Sequence, residues 1–241
     1  MTADGWAQVV RHQLGLGRLL PLGGPRDGAW ITEDAAESLL RHAAAPVRGV
    51  RLGTLRIALA EPDRSYDPAV LPPPSALPPG PLRVSADFTA SADPTASGAE
   101  PLPTTAARLR RALSTAATER LGLTVTEVDL RVAALLEEDQ EPAAVRPDDV
   151  QPAAAPAGAE EALVGTAALS VPGVLHLTDV LGRPVRIEDG RGGEGALPRR
   201  HVRVEVAVSG RAVDVARAVR TAVTSALPDS PSVAVLVTAA H

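Results

Sequence analysis

TTAARLRRALSTAATERLGLTVTEVDLRV, residues 104–132, contains both hydrophobic periods of an α/β unit in one run. Leu109, Ala112, Leu113, Ala116, Ala117 and Leu121 recur at three- and four-residue intervals, which lines them along one side of a helix. Arg108, Arg111 and Glu119 fall on the opposite side. Gly122 sits where such a helix ends in left-handed backbone, a conformation open to glycine without steric cost. Beyond it Val128, Leu130 and Val132 alternate with Glu127, Asp129 and Arg131. That period of two puts one face of a strand on a core and the other in solvent.

Upstream, Leu82, Val84, Ala86 and Phe88 alternate with Arg83, Ser85, Asp87 and Thr89, and Leu55, Ile57 and Leu59 with Thr54, Arg56 and Ala58. Two further strands follow from these patterns. Residues 61–81 between them hold Pro72, Pro73, Pro74, Pro78, Pro79 and Pro81, and proline has no amide hydrogen for a strand ladder. They read as a long hairpin insertion. Earlier still, Thr32 can cap a helix with Glu33 and Asp34 in its first turn, where acids suit the positive end of the dipole. Ala36, Leu39, Leu40, Ala43 and Ala44 form its apolar stripe, and Pro46 ends it. The order is α-β-β-α-β.

Downstream the order recurs. A short apolar helix over about 160–170 stops at Val171-Pro172-Gly173-Val174, as the first helix stops before Val47-Arg48-Gly49-Val50. A strand at 184–188 leads through a glycine-rich loop to one in which Val202, Val204, Val206 and Val208 alternate with Arg203, Glu205 and Ala207. Ala212, Val215, Ala216, Val219, Ala222, Val223 and Ala226 mark a helix, and Val233, Val235 and Val237 a closing strand. The expected fold class is α+β, with two repeated α-β-β-α-β modules, each a three-stranded sheet covered by helices on one face. The divisions are 1–30, an N-terminal helix and glycine-rich loop; 31–136, the first module; 137–159, a linker rich in Pro and Ala; and 160–241, a second, more divergent module. Periodicity leaves the strand order open.

Composition narrows the chemistry. Hydrophobic residues make up 45% of 241, enough for packed cores, but only 2% are aromatic, so Val, Leu, Ile and Ala must build them. With no cysteine, disulfides, thiolate metal sites and cysteine nucleophiles are excluded. All 24 basic residues are arginine, which with the wealth of Ala, Gly and Pro reads as the codon usage of a high-GC genome. A net charge of -5 gives no general attraction for nucleic acid or anionic lipid. No apolar run approaches the roughly 18 to 20 residues of a membrane span, and residues 1–22 lack a signal-peptide pattern. The expectation is a cytoplasmic chain without direct membrane insertion.

Ile31-Thr32-Glu33-Asp34-Ala35-Ala36 followed by Val47-Arg48-Gly49-Val50 resembles the opening helix and turn of the bacterial alkaline shock protein family, also called the envelope stress response family. Residues 106–132 resemble that family's final helix and strand. The second copy is similar more weakly, through residues 168–174 and 203–237. The resemblance implies a non-enzymatic envelope stress component that gathers beneath the cytoplasmic membrane through a membrane-anchored partner, binds related single-module proteins and self-associates. It implies no catalytic residue, cofactor or metal ligand. The tandem form, the proline-rich hairpin and the divergent second copy depart from the family pattern.

Other motifs have plain readings. Gly15, Gly17, Gly23 and Gly24 follow no strand and precede no Gly-Lys-Ser/Thr, so they read as turns and not as a phosphate loop. Residues 189–195 lack the ligand spacing of a calcium loop. Gly192 and Gly195 form a Gly-x-x-Gly like the nucleotide clamp of KH domains, with Arg199, Arg200 and Arg203 beyond it as phosphate contacts. This is the alternative reading, an RNA- or nucleotide-binding module, against a solvated basic strand start. The five histidines are scattered, no Gly-x-Ser-x-Gly elbow occurs, and Glu137, Glu138, Asp139 and Glu141 read as a solubilising linker. Trp6, Val9, Val10 and Leu14 fall on one helical face, suited to docking a partner or packing on the first module, and Trp30 is expected to seal that junction. The outward residues Arg83, Asp87, Glu127, Asp129 and Arg131 complete the candidate partner-binding set with Trp6, Val10 and Leu14.

Overall fold

A threonine cap starts the first helix. Thr32, wholly buried, accepts a hydrogen bond from the Ala35 amide at 3.3 Å, and α1 (Glu33–Ala44) buries Ala35, Ala36, Leu39, Leu40 and Ala44. Thr32→Ala removes the side-chain acceptor at this helix start, and the expected loss in urea unfolding is about 1 kcal/mol. Helix α2 (Leu102–Thr115) begins two residues ahead of Thr104, because Pro103 suits a first turn whose amides lack partners anyway. It continues through a wider turn, Ala116–Leu121, and ends at Gly122 with φ +85°. The other helices are α3 (Ala159–Leu169) and α4 (Ala212–Ala226).

The computed structural model describes residues 17–91, 100–136, 150–189 and 200–241, and among these the fold is mixed α+β with four helices and two sheets. The expected helix over Trp6, Val10 and Leu14 lies outside the described residues, as do most of the acidic linker and the tip at 190–199.

The smaller sheet joins β3 (Val50–Leu59), β4 (Leu82–Ser91) and β5 (Val125–Leu136), with β3 antiparallel and β5 parallel to the central β4. The larger sheet contains β1 (Leu19–Leu22), β2 (Ala29–Thr32), β6 (Val174–Leu177), β7 (Val185–Asp189), β8 (Arg200–Val208) and β9 (Ser232–Ala240). Both β6 and β7 run antiparallel to β8, and β9 runs parallel to it.

Here the expectation of three strands per sheet is corrected, since the larger sheet has six. The exposed side of β9 is completed by β2 in parallel, and β1 folds back on β2. All eight residues of β1 and β2 are buried, so a segment read as part of a glycine-rich loop instead closes a sheet edge. The described end of the linker also has a fixed place. The Ala153 amide donates to Leu177 O at 2.8 Å, and Val150 O lies 2.9 Å from His176 Nε2.

One contiguous core joins the helix-facing sides of both sheets, and α1 packs against β3 of one and β9 of the other. A second apolar cluster lies on the far face of the larger sheet, formed by Leu19, Trp30, Val70, Ala234 and Leu236. Trp30 therefore packs on the far face of the larger sheet, and the junction it is expected to seal involves a segment outside the described residues.

What covers that far face is the proline-rich insertion. Its backbone is tied to the N-terminal hairpin by Leu77 N to Leu19 O at 2.8 Å, Leu19 N to Ser75 O at 3.3 Å and Ala69 N to Pro25 O at 2.8 Å. Val70 and Pro73 are buried against it. The helices thus cover one face of the larger sheet, and a strap from the smaller sheet's hairpin crosses the other.

Candidate functional site

Alternation alone would leave the odd-numbered residues of β8 in solvent, but strap and loop put a lid over them. In the antiparallel register Arg186 stands opposite Arg203 and Glu188 opposite His201. In the parallel register His201 stands beside Ser232 and Arg203 beside Ala234. These six residues, with Val202, form the wall of a cleft of about 310 Å³ whose roof is Leu71, Pro72, Pro73 and Pro74.

The cleft's charges are unevenly matched. Arg186 Nε meets Glu188 Oε1 at 2.5 Å, and His201 Nδ1 shares a hydrogen bond with Ser232 Oγ. The Arg203 side chain is only 16% exposed, and its Nε has no hydrogen-bond partner among the described residues. Burial pulls its pKa below the usual arginine value, opposed by the nearby charge of Glu205.

Glu205, on the same strand face, has no exposed surface. Its Oε2 accepts from the Leu181 amide at 2.9 Å, and its Oε1 lies 3.9 Å from Arg203 with no hydrogen bond. Burial is the main cause that pushes this carboxyl up to about 7, with the Leu181 amide and Arg203 holding it down. Beside it the buried hydroxyls of Thr178 and Thr238 meet at 2.7 Å. The unmet Arg203 donor in the cleft, and not this buried carboxyl, is the group able to orient a small anion. Among the described residues no group of three or more His, Asp or Glu is placed to hold a metal ion.

Of the basic residues singled out in the sequence, the two described ones, Arg200 and Arg203, do not share a surface. Arg199 lies outside the described residues. Arg200 is engaged by Glu160 at 2.6 Å and Asp229 at 3.3 Å, whereas Arg203 turns into the cleft. The turn at 23–28 is closed by its own acid, since Asp27 Oδ2 accepts from the Gly24 amide at 2.7 Å and Arg217 clamps the same carboxylate at 2.8 Å. That clamp holds Asp27 below the usual carboxylate range.

The charged residues expected on the smaller sheet do gather there, paired with one another. Arg83 meets Glu127 at 2.6 Å and Asp129 at 3.4 Å, and Arg131 grips both oxygens of Asp87 at 2.8 and 2.9 Å. The Arg131 guanidinium lowers the Asp87 pKa. Beside this lattice runs β5, whose only strand partner among the described residues is β4. Arg110 donates to Val128 O at 3.1 Å and so blunts the first part of that edge. Further along, Val132 and Leu135 are 39% and 58% exposed.

Sequence reasoning names His201 beside the basic residues but misses Arg186 on β7, Glu205 on β8 and Ser232 on β9, because alternation assigns each strand a single buried face. The signal that could have found them is apolar surplus: Trp30, Leu181, Leu236 and Val70 belong to no helix-facing stripe and need a second core.

Compared with family models, curated proteins and solved structures, the chain matches none. Among the described residues no helix is long and apolar enough to cross a membrane.

Proposed function

We propose that this chain is a non-enzymatic interaction protein of the envelope stress type, a scaffold beneath the cytoplasmic membrane. Its partners are a membrane-anchored protein, related single-module proteins and further copies of itself. One observation carries the reading: the outer edge of β5 leaves strand backbone unpaired, among the described residues, beside exposed Val132 and Leu135. An open edge of this kind accepts an added strand, with backbone bonds supplying affinity and flanking side chains supplying choice. The neighbouring ion-pair lattice offers both charge signs for register.

The reading includes descent of the two halves from one α-β-β-α-β unit. In support, α1-β3-β4-α2-β5 and α3-β6/β7-β8-α4-β9 share element order, and each has an antiparallel pair followed by a parallel one. An RNA-binding reading has less behind it, because Arg200 is engaged by two acids and Arg203 is turned inward.

Cross-linking in cells that naturally make the chain, followed by membrane isolation, tests the proposal. The chain is expected with the membranes, joined to a smaller anchored protein. Leu135→Lys, a substitution at an exposed position, is expected to lower that recovery roughly tenfold, as a loss of about 1.4 kcal/mol would. Recovery wholly in the soluble fraction, without cross-linked partner, would overturn the reading.

A further inference from the structure

The cleft beneath the strap holds one guanidinium donor, Arg203 Nε, that no acceptor among the described residues meets. Arg186 and Arg203 stand directly opposite each other, and like charges so placed repel. Glu188 offsets Arg186. For Arg203 the matching carboxylate, Glu205, lies 3.9 Å away, and the Arg203 Nε donor is left without an acceptor among the described residues. A buried donor in that state costs stability, and an incoming acceptor removes the cost.

The opposite wall has the complementary character. Pro72 and Pro73 have no amide hydrogen, so that part of the roof offers ring surface and no donor. Polar recognition comes from the sheet and apolar contact from the strap. A volume of about 310 Å³ admits a ring-sized body with one charged group. Glu188 already opposes Arg186, and Glu205 reaches Arg203 only at 3.9 Å without a hydrogen bond, so what the cleft lacks is an acceptor at Arg203 Nε.

We propose that this cleft binds a small monocarboxylate with an apolar ring, its carboxylate on the Arg203 and Arg186 guanidinium groups and its ring against Pro72 and Pro73. The planar fork of arginine suits a carboxylate, and charge-assisted bonds of this kind are the stronger class. The site is separate from the β5 edge, so either proposal can fail without the other.

The test uses the full chain, labelled for amide NMR, with 2-naphthoate as probe, 2-naphthylmethanol as its neutral counterpart and inorganic phosphate as an anion without a ring. Naphthoate is expected to shift the amides of Arg203, Ser232 and Ala234 saturably below about 10 mM. The alcohol and phosphate are expected to bind at least roughly tenfold more weakly, and Arg203→Gln to weaken naphthoate by a similar factor. Arg186→Gln, at a half-exposed position, is expected to weaken it too, and it carries the test if the Arg203 variant does not fold. Absence of saturation at these amides, equal binding of the alcohol or of phosphate, or unchanged affinity in the folded variants would overturn the proposal.

Discussion

Gly122→Ala is expected to cost about 3 kcal/mol, seen as a fall of roughly 6–12 °C in Tm for a chain of this length. Two causes act together. The backbone at Gly122 has φ +85°, where a side chain is strained by about 1–3 kcal/mol. An added Cβ would also stand 2.2 Å from Val213 Cγ1 and 2.6 Å from Val213 Cβ, at the start of α4. The same residue accepts the Gly23 amide at 3.0 Å through its carbonyl, so it cannot shift without disturbing the N-terminal hairpin. Gly210 separates the two causes. Its φ is +86°, yet no atom of the described residues lies within 4 Å of where an added methyl would stand. Gly210→Ala is therefore expected to cost only about 1 kcal/mol. Equal losses at the two glycines would show that the contact between Gly122 and α4 contributes nothing.

Glu205 is expected to make stability fall as pH rises. Its carboxyl titrates near 7 in the folded chain against an ordinary value of 4.5, chiefly because burial disfavours the charge. Between these values the folded chain holds a proton that the unfolded chain has released. The associated stabilisation is therefore complete below 4.5 and lost as pH climbs through 7. Integrated over that interval it amounts to about 3 kcal/mol. The measurement is urea unfolding from about pH 4.5 to 8 for the parent and Glu205→Gln, whose amide titrates nowhere in that range. The difference between the two curves is expected to change by this amount, with the parent losing ground toward the alkaline end. Parallel curves would mean that the carboxyl is not held neutral in the fold.

The ordered elements are legible wherever the local pattern and the tertiary environment demand the same thing. Thr32 as a cap, Gly122 as a left-handed stop and the alternation of Leu82 through Thr89 each follow from stereochemistry within a few residues of chain. The candidate partner surface is partly legible for the same reason, since Arg83, Asp87, Glu127, Asp129 and Arg131 alternate with apolar neighbours and do stand on one face. Their mutual pairing is not, because it depends on the register between β4 and β5.

By itself the chain's sequence determined the four described helices, most of the described strands and the side of each that faces the main core, because these depend on periods of two and 3.6 residues. Only the tertiary structure decided that residues 19–32 complete the larger sheet and that a proline-rich hairpin of one sheet covers the far face of the other. The β2 and β9 strands pair across some two hundred residues of chain, and alternation says which face is apolar without saying what lies upon it. Arg203 and Glu205 carry the same outward pattern as solvent residues do. What made them a buried, incompletely matched pair is the strap and the Leu181 loop, whose positions no local period encodes.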